Sequence, residues 1–215
     1  RAARLRPGER VEVSDQKKLC TARVTVVEGE LVEFEIETEI EPSPPEQVVS
    51  LFLSVIKFAR FEWAIEKTTE LGVHAVVPLV ADRSDRRLVA TAGKRVHRWR
   101  RIAEEAAQQA RRMAPPRIEM PIDFTQALKQ STNATLFLLD RNGGPLHKAL
   151  SQTRPNGPSQ GLIYLVGPEG GWSNRELQIA QHHGLRTTRL GLNVLKTETA
   201  AVAALTASTI TSYRE

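Results

Sequence analysis

Two glycine-bearing stretches hold most of the chemistry that the sequence can specify. In Leu162–Glu176, LIYLVGPEGGWSNRE, an apolar run enters Gly167-Pro168-Glu169-Gly170-Gly171. Ser173 and Glu176 then stand at the spacing of a helix capping box. Glycines at the end of a buried strand let backbone amides approach a ligand, and open parallel sheets bind ligands at that edge. The second stretch, Leu190–Ala200 (LGLNVLKTETA), follows one more short strand. Side by side the two loops can enclose one small ligand; taken singly, each also fits a tight structural turn. Other chemistries lack their signatures. There is no G-x-G-x-x-G after an early strand and no Walker lysine loop, and Gly171-Trp172-Ser173-Asn174-Arg175 lacks the last glycine of a hydrolase elbow. His74, His97, His147, His182 and His183 show no ligand spacing, and no metal is expected. The single cysteine, Cys20, excludes an internal disulfide framework.

Charge is the second signal. The 215-residue chain carries a net charge of +5. Arg83–Arg117 alone holds the excess, including Arg83, Arg86, Arg87, Arg111 and Arg112. A concentrated basic surface attracts polyphosphate, so RNA or DNA is the expected partner class, against the alternative of a solvated helix face. Glu28–Glu46 has the opposite bias. There Val32, Phe34, Ile36 and Ile40 alternate with Glu33, Glu35, Glu37 and Glu39, which predicts a strand with one buried and one wet face.

These residues need elements to position them. Residues 1–41 read as short strands at Arg10–Val13, Thr21–Glu28 and Leu31–Ile40. Three prolines in 42–47 suit a stiff linker, and the domain boundary is placed there. From 48 to 215 continuous apolar strands (Val48–Ile56, Val73–Val80, Thr135–Asp140, Leu162–Val166, Arg186–Leu190) alternate with helices (Phe61–Leu71, Lys94–Arg112, Ser173–His183, Thr197–Tyr213). That pattern is an α/β fold with a parallel sheet covered on both faces. Ser151–Gly161 reads as a polar connecting loop. The longest apolar runs are too short to span a bilayer, no leader pattern opens the chain, and a reducing cytoplasm fits best. The start at Arg1 suggests that an upstream segment is missing.

LVGPEGGWSNRE and LGLNVLKTETA resemble the two signature stretches of RsmE-type enzymes, SPOUT-superfamily methyltransferases acting on N3 of a uridine in small-subunit ribosomal RNA. Glu66–Val73 (EKTTELGV), Pro78–Ser84 and Gln108–Arg112 (QQARR) are similar to further elements of that family, so the resemblance spans about residues 48–213. It implies a C-terminal trefoil knot, a homodimer and an N-terminal PUA-like β domain lacking its first strands. It also implies a bent S-adenosylmethionine held by Leu139, Gly167, Glu169, Gly170, Gly171, Leu190, Gly191 and Leu195. The implied substrate is 16S ribosomal RNA in the small subunit, with uridine 1498 as the family target. Three positions depart from the family pattern. Lys196 replaces a common arginine, Gln108 a common glutamate, and Phe58 a common glycine.

Methylating N3 requires removing its weakly acidic proton. Arg112 or Lys196 can stabilise negative charge on the uracil oxygens, and Glu169 or Glu198 can accept the proton. Lys57, Arg60, Lys67, Arg83, Arg86, Arg87, Gln109 and Arg112 are the expected RNA contacts. Two readings stay open beside this one: another SPOUT methyltransferase acting on a ribose 2′-hydroxyl or another base, and an inactive RNA-binding assembly factor.

Overall fold

The computed structural model describes residues 5–41, 47–131, 134–153 and 161–212. All of the proposed linker at 42–47 except Gln47, and most of the Ser151–Gly161 loop, therefore lie outside the described residues, as does Tyr213.

The first unit is an antiparallel meander of β1 (Arg10–Ser14), β2 (Leu19–Glu28) and β3 (Leu31–Ile40). The glutamates of β3 pair across the strands. Glu37 takes Arg10 and Arg23, and Glu39 takes Lys18 at 3.0 Å. The expectation of one buried face on β3 needs correction. Ala22 and Val24 of β2 are buried, but Leu31, Phe34 and Ile36 of β3 are exposed. Period two tells which residues share a face; it does not supply the layer that covers them.

The second unit runs β4 (Val49–Ser54), α1 (Phe58–Glu70), β5 (Ala75–Val80), α2 (Arg86–Ala92), a 3₁₀ turn at Gly93–Arg95, α3 (Val96–Gln109), β6 (Arg117–Ile118), β7 (Ile122–Asp123), α4 (Phe124–Lys129), β8 (Ala134–Pro145), α5 (Leu146–Ser151), β9 (Gly161–Val166), α6 (Asn174–His182), β10 (Arg186–Arg189) and α7 (Thr197–Ser212). The strands lie in the order β10-β8-β9-β4-β5-β6, with β7 also on β5, and every pairing is parallel.

Both faces of this sheet are covered, which is why its strands read as unbroken apolar runs. Along β4, Leu51 and Leu53 join the cluster that includes Phe61, Ile65, Trp99, Tyr164, Ala201 and Leu205. Phe52, between them, points into the opposite cluster with Val77, Phe124, Leu138, Leu165 and Trp172. Trp99 of α3 packs on Phe61 of α1 with ring centres 4.4 Å apart. Between β9 and α7, the buried Tyr164 hydroxyl meets Ser208 Oγ at 2.5 Å, and burial pushes its pKa up to about 12.

Two helices differ from their sequence bounds. α1 begins at Phe58, earlier than the expected Phe61, because its N-cap Lys57 makes no side-chain cap that sequence could reveal. The expected Lys94–Arg112 helix is shorter and ends in a left-handed turn. Arg111 has φ +53°, while the amide of Arg112 donates to the Ala107 carbonyl at 2.9 Å and that of Arg111 to Gln108. This is a Schellman-type end that usually takes glycine.

Candidate functional site

Parallel strands send their following loops to one edge of the sheet, and the sheet order puts β9, β8 and β10 next to one another there. The loops after β9 and β10 and an irregular stretch of β8 together line an open cleft of about 800 Å³. Gly167–Gly171 comes from β9, Leu190–Lys196 follows β10, and Leu139–Asn142 belongs to an irregular stretch of β8. Arg60 of α1, Arg83 after β5 and Thr197 and Ala200 of α7 complete the lining.

Close backbone approach explains the glycines that matter. A Cβ at Gly167 would sit 3.0 Å from the Trp172 indole, whose Nε1 donates to the Leu139 carbonyl at 2.9 Å. Trp172 thus ties the β9 loop to β8 from beneath. Gly143 is tighter still: a Cβ there would lie 2.5 Å from the Thr188 amide nitrogen, where β10 crosses the irregular part of β8. Gly171 holds φ +68°, a left-handed conformation that glycine adopts without strain. A Cβ on Gly191 meets no atom within 4 Å, so that glycine borders open space.

The β9 loop is fixed from the side by the turn after β5. Ser173 and Glu176 form the expected capping box on α6. Fully buried Glu176 also reaches outside its helix, accepting from the Asp82 amide at 2.9 Å as well as from the Ser173 amide at 2.8 Å. Asp82 in turn accepts from Ser173 Oγ at 2.6 Å and from Arg175 at 3.0 and 3.2 Å. The Arg175 guanidinium and that hydroxyl hold the Asp82 carboxyl below the usual carboxylate range. Arg83 completes the brace by donating to the Gly170 carbonyl at 2.9 Å. On the other side, Thr197 Oγ1 donates to the Gly167 carbonyl at 2.9 Å, joining α7 to the same loop.

All eight residues expected around a cofactor line this cavity: Leu139, Gly167, Glu169, Gly170, Gly171, Leu190, Gly191 and Leu195. So do Arg60, Arg83 and Lys196. Glu198 lies behind the lining at the start of α7, with Oε1 3.7 Å from Arg60 Nε. Arg60 also pairs with Glu169, so one guanidinium bridges carboxylates from two sides of the pocket.

The other expected residues are elsewhere. Arg112, named above as a cation for the uracil oxygens, does not line this cavity. Its guanidinium donates to the Thr69 and Val73 carbonyls, both at 2.9 Å, where α1 ends, and burial lowers its pKa. Arg112 and Gln108 line a second cleft of about 780 Å³ between β1, β2 and α3. Lys67 pairs with Glu66 and Glu70 along α1. Lys57 is exposed at the α1 N-cap, Gln109 is exposed at the end of α3, and Arg86 and Arg87 are exposed at the start of α2. Part of the basic segment is paired within the chain, much of it at the surface. Arg98 takes Glu62, Arg101 takes Glu105, Arg100 the Ile118 carbonyl, and Arg95 lies over the Phe58 ring.

Sequence reasoning missed the middle wall, Asp140-Arg141-Asn142, and the roles of Gly143, Trp172, Thr188 and Asp82. The Asn142-Gly143-Gly144 turn signal marked that wall but gave no partner for it. The cavity suits a folded nucleoside-sized ligand. Its volume lies in the ordinary range for such sites, and its glycines bring backbone to the wall. Two buried oxygens, Thr188 Oγ1 on the lining and Glu198 Oε2 behind it, have no hydrogen-bond partner among the described residues. Among those residues no cluster of His, Cys, Asp and Glu could hold a metal, and no helix is long and apolar enough to cross a membrane.

A parallel sheet whose C-terminal-edge loops form such a pocket defines an α/β nucleotide-type ligand site. The family model for an RNA methyltransferase domain matches residues 43–209. The chain is 33% identical over 163 residues to ribosomal RNA small subunit methyltransferase E of Mesomycoplasma hyopneumoniae, covering 75% of this chain and 69% of that one. It is 29% identical over 203 residues to the Aquifex aeolicus enzyme of the same name, covering 94% and 86%. The structure of ribosomal RNA small subunit methyltransferase E from Neisseria gonorrhoeae bound to S-adenosylmethionine superposes with a TM-score of 0.83 at 33% identity, covering 97% of this chain and 85% of that one. A Legionella pneumophila methyltransferase structure in complex with the same molecule gives 0.79 at 26% identity, covering 97% and 85%. The chain belongs to the ribosomal RNA small subunit methyltransferase E family.

Proposed function

We propose that this chain binds S-adenosylmethionine in the three-loop pocket and methylates N3 of a single uridine in 16S ribosomal RNA, the counterpart of the family's uridine 1498. The observation that carries the reading is the convergence of all eight expected cofactor residues on one cavity of suitable size, in a chain of this family. Gly167, Gly170, Gly171 and Gly191 would present backbone to the bound donor, with Leu139, Leu190 and Leu195 around its apolar parts. S-adenosylmethionine supplies an electrophilic methyl group. The protein aligns the uracil edge with it and favours loss of the N3 proton. Lys196 in the pocket is placed to act on the uracil oxygens. Glu169 and Glu198 remain the two candidates for the proton.

RNA enters from the exposed basic side, with Arg86 and Arg87 on phosphates, and the target uridine is unpaired when it reaches the site. Lys57, Lys67, Arg83 and Gln109 extend that track, while Arg112, bonded to the Thr69 and Val73 carbonyls, supports it by fixing the end of α1. The three-stranded sheet acts as a PUA-like RNA-binding unit, joined by residues 42–47 to the methyltransferase unit from 48 onward. Insertion of β10 beside β8, and the bond from Thr197 at the start of α7 to the Gly167 carbonyl, support a knotted C-terminal half. The enzyme works in the cytoplasm as a homodimer.

The test is methylation of small-subunit RNA lacking the modification, by purified protein and labelled donor. The expected result is one new stop in reverse transcription, because a methyl on N3 blocks base pairing, and N3-methyluridine on hydrolysis. A ribose-methylated product would move the assignment to another reaction. Absence of donor binding in calorimetry would point to an RNA-binding assembly factor instead.

A further inference from the structure

The reaction needs a cation held beside the uracil before the proton leaves. Sequence reasoning offered Arg112 for this task, but its guanidinium is committed to the carbonyls of Thr69 and Val73. Five basic side chains line the pocket: Arg60, Arg83, Arg141, Arg189 and Lys196. Two of these are anchored to carbonyls of the pocket's own loops, Arg83 to Gly170 and Arg189 to Gly143 at 2.6 Å. Arg60 differs from all of them. It comes from the first turn of α1 and is paired with carboxylates instead of carbonyls, Glu169 on one side and Glu198 on the other. Its Nη2 has no partner among the described residues, so the planar fork keeps donors for a ligand.

Resting on the methyltransferase reading above, we propose that Arg60 is a catalytic residue of this site: its guanidinium stabilises the uracil anion from which N3 attacks. The N3–H pair becomes the new N3–carbon bond. The proton passes to a neighbouring carboxylate or to water, and the methyl–sulfur bond breaks with its pair left on sulfur. Negative charge spreads over the uracil oxygens in this step, and a donor fixed in advance by two carboxylates loses nothing to reorganisation when that charge appears. Arg60 also brings the anion-stabilising donor into one cluster with both proton-acceptor candidates. Its half-buried position strengthens the interaction relative to an exposed lysine such as Lys196.

Arg60→Ala and Arg60→Lys test this, with donor affinity by calorimetry and single-turnover methylation of the RNA. Removing one such donor lowers the chemical rate by about 10²–10³-fold. Arg60→Ala is expected to show that loss, with donor affinity within about threefold of wild type as evidence of an intact pocket. Added methylguanidinium should restore at least tenfold, which a purely structural defect would not permit. Arg60→Lys should fall between the two. The alanine variant's rate should also climb with pH over a wider range than wild type, as alkali replaces the missing cation in favouring the anion. A wild-type-like rate in Arg60→Ala, or a loss that appears only as weaker donor binding, overturns the assignment while leaving the enzyme reading intact. If wild type itself forms no N3-methyluridine, the reading and the role of Arg60 fall together.

Discussion

Glu176 shows how much one side chain can hold. Its two oxygens satisfy the amides of Ser173 and Asp82, so a single buried carboxylate caps α6 and fastens the β5 turn to the β9 loop. Glu176→Ala leaves both amides short of an acceptor, at roughly 1–3 kcal/mol for each buried group left unpaired. The expected outcome is about 2–6 kcal/mol lost in denaturant unfolding, together with weaker donor binding because the β9 loop loses its tie to the turn after β5. Glu176→Gln keeps one acceptor and should lie between. A variant within about 1 kcal/mol of wild type would show that the brace is dispensable. Asp82 adds a pH dependence with a definite sign. Arg175 and Ser173 hold its folded-state pKa below the unfolded one. Its contribution is therefore complete above the ordinary carboxylate range and is lost as pH falls through the lowered value, below about pH 4. Thermal melts between about pH 6 and pH 3 should show wild type losing more stability than Asp82→Asn. Equal losses would mean that the Arg175 pair contributes nothing at the exposed surface.

At the level of elements, the basic start of α2 is the part whose role is open to direct measurement. Asp85 caps this helix by accepting from the Arg87 amide at 2.8 Å, which leaves the side chains of Arg86 and Arg87 at the surface beside the pocket residue Arg83. Arg86→Glu with Arg87→Glu should weaken RNA binding and flatten its salt dependence, by about 0.7 in the log–log slope for each phosphate that is no longer neutralised. Donor binding should be unchanged, and unchanged RNA affinity would remove these residues from the track. α2 itself was invisible in the sequence because its charges read only as a basic run. The two-residue strands β6 and β7 and the six-residue helices α4 and α5 are too short for periodicity to register. What was legible came from strong local rules: the Ser173–Glu176 box, the bounds of β3, and unbroken apolar strands that demanded cover on both faces. The two glycine loops were legible as a pair, since either alone reads equally as a tight turn and only their following neighbouring buried strands brought them to one cleft. The fate of Arg112 was not, because charge and spacing do not tell whether a guanidinium will meet solvent, a ligand or two backbone carbonyls. Nor could period two tell that Phe34 and Ile36 would remain exposed.

For the whole molecule, the loop between β10 and α7 leaves large apolar side chains uncovered. Leu192 is 94% exposed and Val194 80% exposed on the loop that closes the cavity, and Ile210 near the end of α7 is also bare. Large apolar side chains are costly to leave in water, and the adjacent pair Leu192 and Val194 on one loop marks a candidate interaction surface. In the homodimer reading a second copy covers them, and the β10–α7 loop is then rigid enough to hold the donor. Two variants separate that role from the pocket itself. Gly191→Trp adds bulk where a Cβ meets nothing, so it should fold normally yet block donor binding by filling the cavity. Leu192→Asp with Val194→Asp should instead place buried charge in the interface, shifting sedimentation from dimer to monomer. Because the same loop lines the pocket, donor affinity should fall with dissociation and recover as protein concentration is raised. A double variant that stays dimeric would take the rim out of the interface. One that becomes monomeric with unchanged donor affinity would show that a single chain completes the site.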